Sequence, residues 1–182
     1  MSENKKYTIK KIEAAIRQLD VAITLWFHEG DEIAIHTLAC SAHEIIHDIN
    51  YHRKGQELLF DSPYINDKYR KDAIYHLSKP YNFFKHAKHD PDPEGTIELD
   101  SFLTEGFILA ASIGLESLGI KPNSFRIAFT RYQMIHTPSI FREDTIKHIP
   151  VDFLALIRNI NRIHFYEYST AKPQLFGEFF SF

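Results

Sequence analysis

The stretch at residues 41–49 reads SAHEIIHDI, and within it His43, Glu44 and His47 spell H-E-x-x-H. Two imidazoles four residues apart lie on one side of a helix and can share a zinc ion, while the glutamate between them activates the metal-bound water. On a helix over 32–51, His36, Cys40, His43 and His47 fall on one stripe. Ile35, Ala39, Ala42, Ile46 and Ile49 form the adjacent apolar face. The histidines are thus predicted on the shoulder between core and water, with Glu44 and Asp48 turned to solvent. His36, His43 and His47 are the candidate ligands for zinc or another divalent transition metal. A zinc hydrolase needs more: a third ligand, an open coordination position and a glutamate facing the bound water. Asn50 and Arg53 stand where the longer zinc-peptidase motif requires Gly and His, although Asp67 or Asp72 offers an acid from a following helix. No strand precedes the motif to align a peptide. Glu44-x-x-His47 is also half of a di-metal carboxylate site, but the chain has no second E-x-x-H. In a sequence with 11 histidines the pentapeptide arises by chance as well, so its spelling alone assigns no activity.

A second cluster lies at 81–90, YNFFKHAKHD. On a short helix opened by Pro80, Asn82, Lys85, His86 and His89 share a face. An amide, an ammonium and two imidazoles can hold an anion, and His86 can move a proton near neutral pH. Asn82, Lys85 and His86 are the candidate catalytic group, and the free N–H groups of a helix start would add to phosphate binding. Over 68–88, Lys68, Arg70, Lys71, Lys79, Lys85 and Lys88 oppose Asp72 alone. That is 6 − 1 = +5 in a chain of net charge −3, leaving −8 elsewhere. Tyr69, Tyr75, Tyr81, Phe83 and Phe84 interleave with these charges. Cations that track phosphates beside rings that stack on bases are the pattern of a single-stranded nucleic-acid surface. Lys68, Arg70, Lys71 and Tyr81 are the candidate contacts to RNA or a nucleotide. The competing reading is a solvated helix face with its aromatics in the core.

The elements that must position these groups are helical. The chain has two valines, Val21 and Val151, poor material for sheets. Apolar residues recur at three- and four-residue steps over 9–29. Asp31 can cap the helix over 32–51. A third helix is predicted from Ser62-Pro63 to about Ser78, and the short fourth from Pro80. DPDPEG at 90–95 breaks the chain into an internal loop spanning about 90–100. Ser101 is the predicted cap of a very apolar helix, the expected centre of the bundle. Gly106 and Gly114 should allow close approach there, and Gly119 should end it. Helices at 124–136 and 151–167 follow, then an aromatic tail over 169–182 that ends FGEFFSF. The expected fold is an all-α, single-domain bundle of about six or seven helices over 1–182.

The bulk numbers agree with this. Apolar residues are 44% and charged residues 25% of 182, a globular balance with room for a core. The net charge of −3 argues against a general polyanion binder, so any anion site must be local. The lone Cys40 allows no internal disulfide and suits a reducing compartment. Together with the lack of an apolar leader or an 18-residue apolar run, it leads to the expectation of a cytoplasmic protein without a membrane partner.

AIHTLACSAHEIIHDI followed by NFFKHAKHDPD resembles a set of small bacterial helical proteins sharing HTLA-type and NFFKHA-type segments, over about residues 10–140. That resemblance implies a helical fold and carries no activity with it. A weaker likeness is to HEPN helical domains, many of which are ribonucleases with four to six residues between an Arg and a His. Arg70…His76, Arg131…His136, Arg142…His148 and Arg158-Asn159…His164 match that spacing. The likeness implies a HEPN-like module that binds, and in its catalytic form cleaves, RNA. Against it stand two other expectations: a metal protein built on the histidine stripe, and a non-enzymatic homo-oligomer joined through the aromatic tail.

Overall fold

The computed structural model of the chain describes residues 5–88, 91–143, 149 and 151–172. Seven α-helices occur among them: α1 Lys11–Phe27, α2 Glu32–His52, α3 Arg70–Lys85, α4 Ser101–Ser117, α5 Ser124–His136, α6 Val151–Ile157 and α7 Arg162–Ala171. Single 3₁₀ turns occupy Asp67–Tyr69 and Pro138–Ile140. The described residues contain no strand, and no helix is long and apolar enough to cross a membrane. The expected all-α bundle is what forms.

α2, not α4, is its centre: α1, α4 and α3 all pack against α2. The reason lies in side-chain size. Ile35, Ala39, Ala42 and Ile46 are fully buried, and the small residues among them let neighbours approach from two sides. Gly114 does the same on α4. A Cβ there would come within 2.5 Å of Ile46 Cγ2 and 2.8 Å of Leu58 Cδ1, so the two helix backbones meet at this point. Gly106 has open space around it and plays no such part. Beside Gly114, buried Asn50 donates from Nδ2 to its carbonyl at 3.0 Å and accepts at Oδ1 from Ser117 Oγ at 3.0 Å. A buried amide satisfied at both ends fixes the register of the pair.

α1 reaches the second half of the chain through Trp26. Its ring meets Phe27, Phe129 and Tyr132 edge-on at about 5 Å. Its Nε1 donates to Glu105 Oε1 at 3.1 Å, and the Arg162 guanidinium lies 4.1 Å from the ring. One indole thus ties α1 to α4, α5 and α7.

Caps set most helix boundaries. Asp31 accepts from Ala34 N at 2.8 Å, as expected. Asp100 rather than Ser101 caps α4, accepting from Phe102 N at 2.9 Å. Gly119, at φ +79°, ends α4 in a Schellman motif: Ile120 N bonds Leu115 O at 3.0 Å and Gly119 N bonds Glu116 O at 2.8 Å. The predicted helix 151–167 is two helices, because Asn161 turns out of the chain to cap α7 and accepts from His164 N at 2.9 Å.

The third helix differs most from expectation. It begins at Arg70, not Pro63, and runs straight through Pro80 to Lys85. Proline in a helix interior removes one backbone bond and crowds the preceding turn. Here tertiary packing outweighs that cost, since Pro80 and Tyr81 are both buried against the bundle. No helix starts at Pro80, so the free N–H groups expected there do not exist.

Candidate functional site

The histidine stripe does face the NFFKHA segment, but not as a metal site would. His36 is fully buried, with Nδ1 2.9 Å from Thr104 Oγ1 and Nε2 3.4 Å from Cys40 Sγ. Its ring meets Phe84 of α3 at 6.0 Å and Phe107 of α4 at 5.8 Å. Burial lowers its pKa to about 4, which keeps it neutral. Cys40 is buried beside it, and burial followed by the charge of Glu44 pushes the thiol far up, so it is no nucleophile.

His43 is more unusual. It too is fully buried, and neither ring nitrogen has a hydrogen-bond partner among the described residues. Aromatic rings enclose it: Phe60 at 4.7 Å and Phe107 at 5.1 Å, both edge-on, with His47 at 5.8 Å. Burial, then the neighbouring His47, lowers its pKa to about 3. His47 emerges at the edge of the stripe. Its Nε2 lies 3.5 Å from Asp61 Oδ1 and its Nδ1 3.4 Å from Asp48 Oδ1. Together with Tyr51 and Phe60 these groups line a cleft of about 410 Å³.

Glu44 does not point to solvent as expected. It is half-buried between α2 and α3, where burial raises its carboxyl pKa while Lys85 and a hydrogen bond from Tyr81 pull it down. Lys85 donates from Nζ to Tyr81 Oη at 2.9 Å, and that bond, first among the causes, raises the lysine. Glu44, Tyr81 and Lys85 form a polar seam that fastens α3 to α2. Glu44 also lines the cleft beside His47, but Lys85 and Tyr81 engage its carboxyl there. Among the described residues, no three His, Cys, Asp or Glu side chains gather as a metal ion requires. His36, His43 and His47 lie along one helix, but His36 is taken up by Thr104 and Cys40.

The candidate catalytic trio lies at the C-terminal end of α3. Asn82 is exposed on the outer side of α3, and Lys85 lies in the seam. His86 follows the last helical turn, with extended backbone at φ −135°. It is exposed, and His89 lies outside the described residues. Of the candidate contact set, Tyr81 is buried, at 3% exposure. Arg70 is fully engaged. Its Nε and Nη2 donate to Asp67 Oδ1 at 3.0 and 2.8 Å, its Nη1 to Phe60 O and Ser62 O at 3.1 and 3.3 Å, and its Nη2 to Ile65 O at 3.0 Å. A guanidinium has five N–H donors, and all five are used in holding the loop before α3.

Lys68 and Lys71 are exposed, as are Lys79 and Lys88. Beside them Tyr69 is 55% and Tyr75 61% exposed, and Tyr64, which the sequence pattern had not singled out, is 92% exposed. Lys71, Tyr75, Lys79 and Asn82 follow one another at three- and four-residue steps, so one side of α3 carries them all.

The other Arg…His pairs do not converge. Arg131 is buried, while His136 is exposed and stacks on Tyr132 at 3.9 Å. Arg158 and His164 are exposed on either side of the break between α6 and α7. His148 lies outside the described residues, as does the aromatic tail from residue 173. No family model, curated protein or solved structure matches the chain.

Proposed function

We propose that this helical bundle binds single-stranded RNA, or a nucleotide portion of it, along the outer side of α3. The reading rests on one observation: Tyr64, Tyr69 and Tyr75 stand exposed among Lys68, Lys71 and Lys79 rather than being buried. An exposed ring surrounded by cations is costly to leave in water and well suited to a base with its phosphate. The HEPN-type resemblance is consistent with such a role. The proposal is for binding, and no strand-scission chemistry is assigned to Asn82, Lys85 or His86.

Fluorescence anisotropy with a labelled single-stranded oligoribonucleotide tests it. Lys68, Lys71, Lys79 and Lys88 are exposed and have no ion pair among the described residues, so up to four phosphates are met. The log–log salt slope should then be about −3. Tyr75→Ala should weaken binding by about fivefold to a hundredfold, at ~1–3 kcal/mol per stacked base. Lys71→Ala combined with Lys79→Ala should flatten the salt slope by about 1.4. Wild-type affinity in both variants, or no binding by the wild type at low salt, would overturn the reading.

A further inference from the structure

On the far side of the bundle, α4 and α5 diverge around a cavity of about 420 Å³. Its walls are mostly apolar, formed by Leu109, Ile113, Ile127, Met134 and Phe141. Two arginines lie in this lining, Arg126 and Arg131, at 4% and 8% exposure. A guanidinium is hard to bury, and each of its N–H groups needs an acceptor. Arg126 meets part of that need. Its Nε lies 3.5 Å from Asp20 Oδ1 and 3.4 Å from Asn123 Oδ1, and its Nη2 donates to Lys121 O at 3.3 Å. Its Nη1 is buried with no acceptor among the described residues. The one carboxylate in the lining, Glu116, is exposed at the rim, where water solvates it.

We infer that this cavity between α4 and α5 is a binding site for a small carboxylate with an apolar body, its carboxylate oxygen accepting from Arg126 Nη1. Two buried guanidiniums line the cavity, and although Asp20 pairs with Arg126 at Nε, the N–H groups of its Nη1 are left without an acceptor among the described residues, so the site favours an anionic oxygen. The apolar wall selects the rest, and the volume lies in the ordinary range for small-molecule pockets. Burial lowers the pKa of Arg126, with Asp20 and Glu116 opposing, in keeping with a cation short of partners. Medium-chain fatty acids and arylcarboxylates share this chemistry.

Isothermal titration of the full chain with decanoate, with naphthaleneacetate and with decanol decides the matter. At least one carboxylate should bind at a single site, and decanol should bind about tenfold to a hundredfold more weakly than decanoate, the worth of one charge-assisted hydrogen bond. Which carboxylate binds more tightly identifies the body the walls prefer. Arg126→Met should erase the difference between decanoate and decanol. Because that variant alters a buried residue, Ile113→Trp at the exposed rim serves beside it: it should block both carboxylates while leaving the circular-dichroism melt unchanged. Equal affinity for acid and alcohol overturns the inference. So does a lack of binding with a dimeric mass in solution, which would give the face to a second copy of the chain. Lack of binding by a monomer overturns it too.

Discussion

Replacing His43 with leucine tests how this core is built. The imidazole is fully buried against Phe60, Phe107 and His47, and both its nitrogens lack partners among the described residues. A buried polar group without a hydrogen bond costs about 1–3 kcal/mol, and leucine fills similar space with none. His43→Leu should therefore be more stable than the wild type by about 1–3 kcal/mol at neutral pH. Acid amplifies the contrast. The reference pKa of 6.5 describes His43 in the unfolded chain, and about 3 describes it folded; for His36 the folded value is about 4. Between those limits the unfolded state binds protons that the folded state refuses, so stability falls as pH falls below 6.5 and levels off only beneath the folded values. Each histidine contributes a slope of about 1.4 kcal/mol per pH unit, or about 2 kcal/mol each on going from pH 6.5 to about pH 5. The pair together costs about 4 kcal/mol, a large share of a domain's stability. Glu44, whose carboxyl is raised by burial, works in the opposite sense, and His136, lowered by burial and by Arg158 and Arg162, works in the same sense. Urea unfolding followed by circular dichroism from about pH 8 to about pH 5 should show His43→Leu with a shallower acid slope than the wild type. A variant that is less stable at neutral pH and keeps the full slope would refute the reasoning. So would a His43 ring that titrates near its ordinary value by NMR.

Three further outcomes follow from packing. Gly114→Ala drives a methyl against Ile46 and Leu58 and should destabilise by about 1–3 kcal/mol in the same urea assay. Gly119→Ala should cost about 1 kcal/mol, because the residue sits at φ +79° with open space around it, so strain acts without a clash. Arg70→Met should leave the far-UV spectrum unchanged while opening the loop before α3, and limited proteolysis should then cut within 58–66 faster than in the wild type.

Features carried by spacing and caps were legible in the sequence. The apolar steps of α1 and α2, Asp31 at the start of α2 and Gly119 after α4 all depend on residues near one another in the chain. What depended on distant neighbours was not legible. Ser62-Pro63 looks like a helix start, but Arg70 turns the segment into a held loop. Pro80 looks like a first residue, but burial carries the helix across it. The histidine stripe was recognisable as one side of α2. That His43 would be shut in by Phe60 from a loop and Phe107 from α4 was not, because nothing local to HEIIH encodes either partner. The exposed tyrosines were equally hidden, since an aromatic in an amphipathic pattern reads the same on either side of a boundary.

The Arg70 clamp has a consequence for how this surface can change. Three of its five bonds go to main-chain carbonyls, of Phe60, Ser62 and Ile65. A carbonyl is present whatever side chain its residue bears. The loop can therefore exchange outward residues such as Tyr64, 92% exposed, without losing its anchor. The arginine itself has no substitute, because lysine offers three donors from a single point and cannot span the loop. Relatives of this chain should accordingly hold Arg70 fixed while the positions it secures drift, with new residues appearing beside the lysines on a scaffold that does not move.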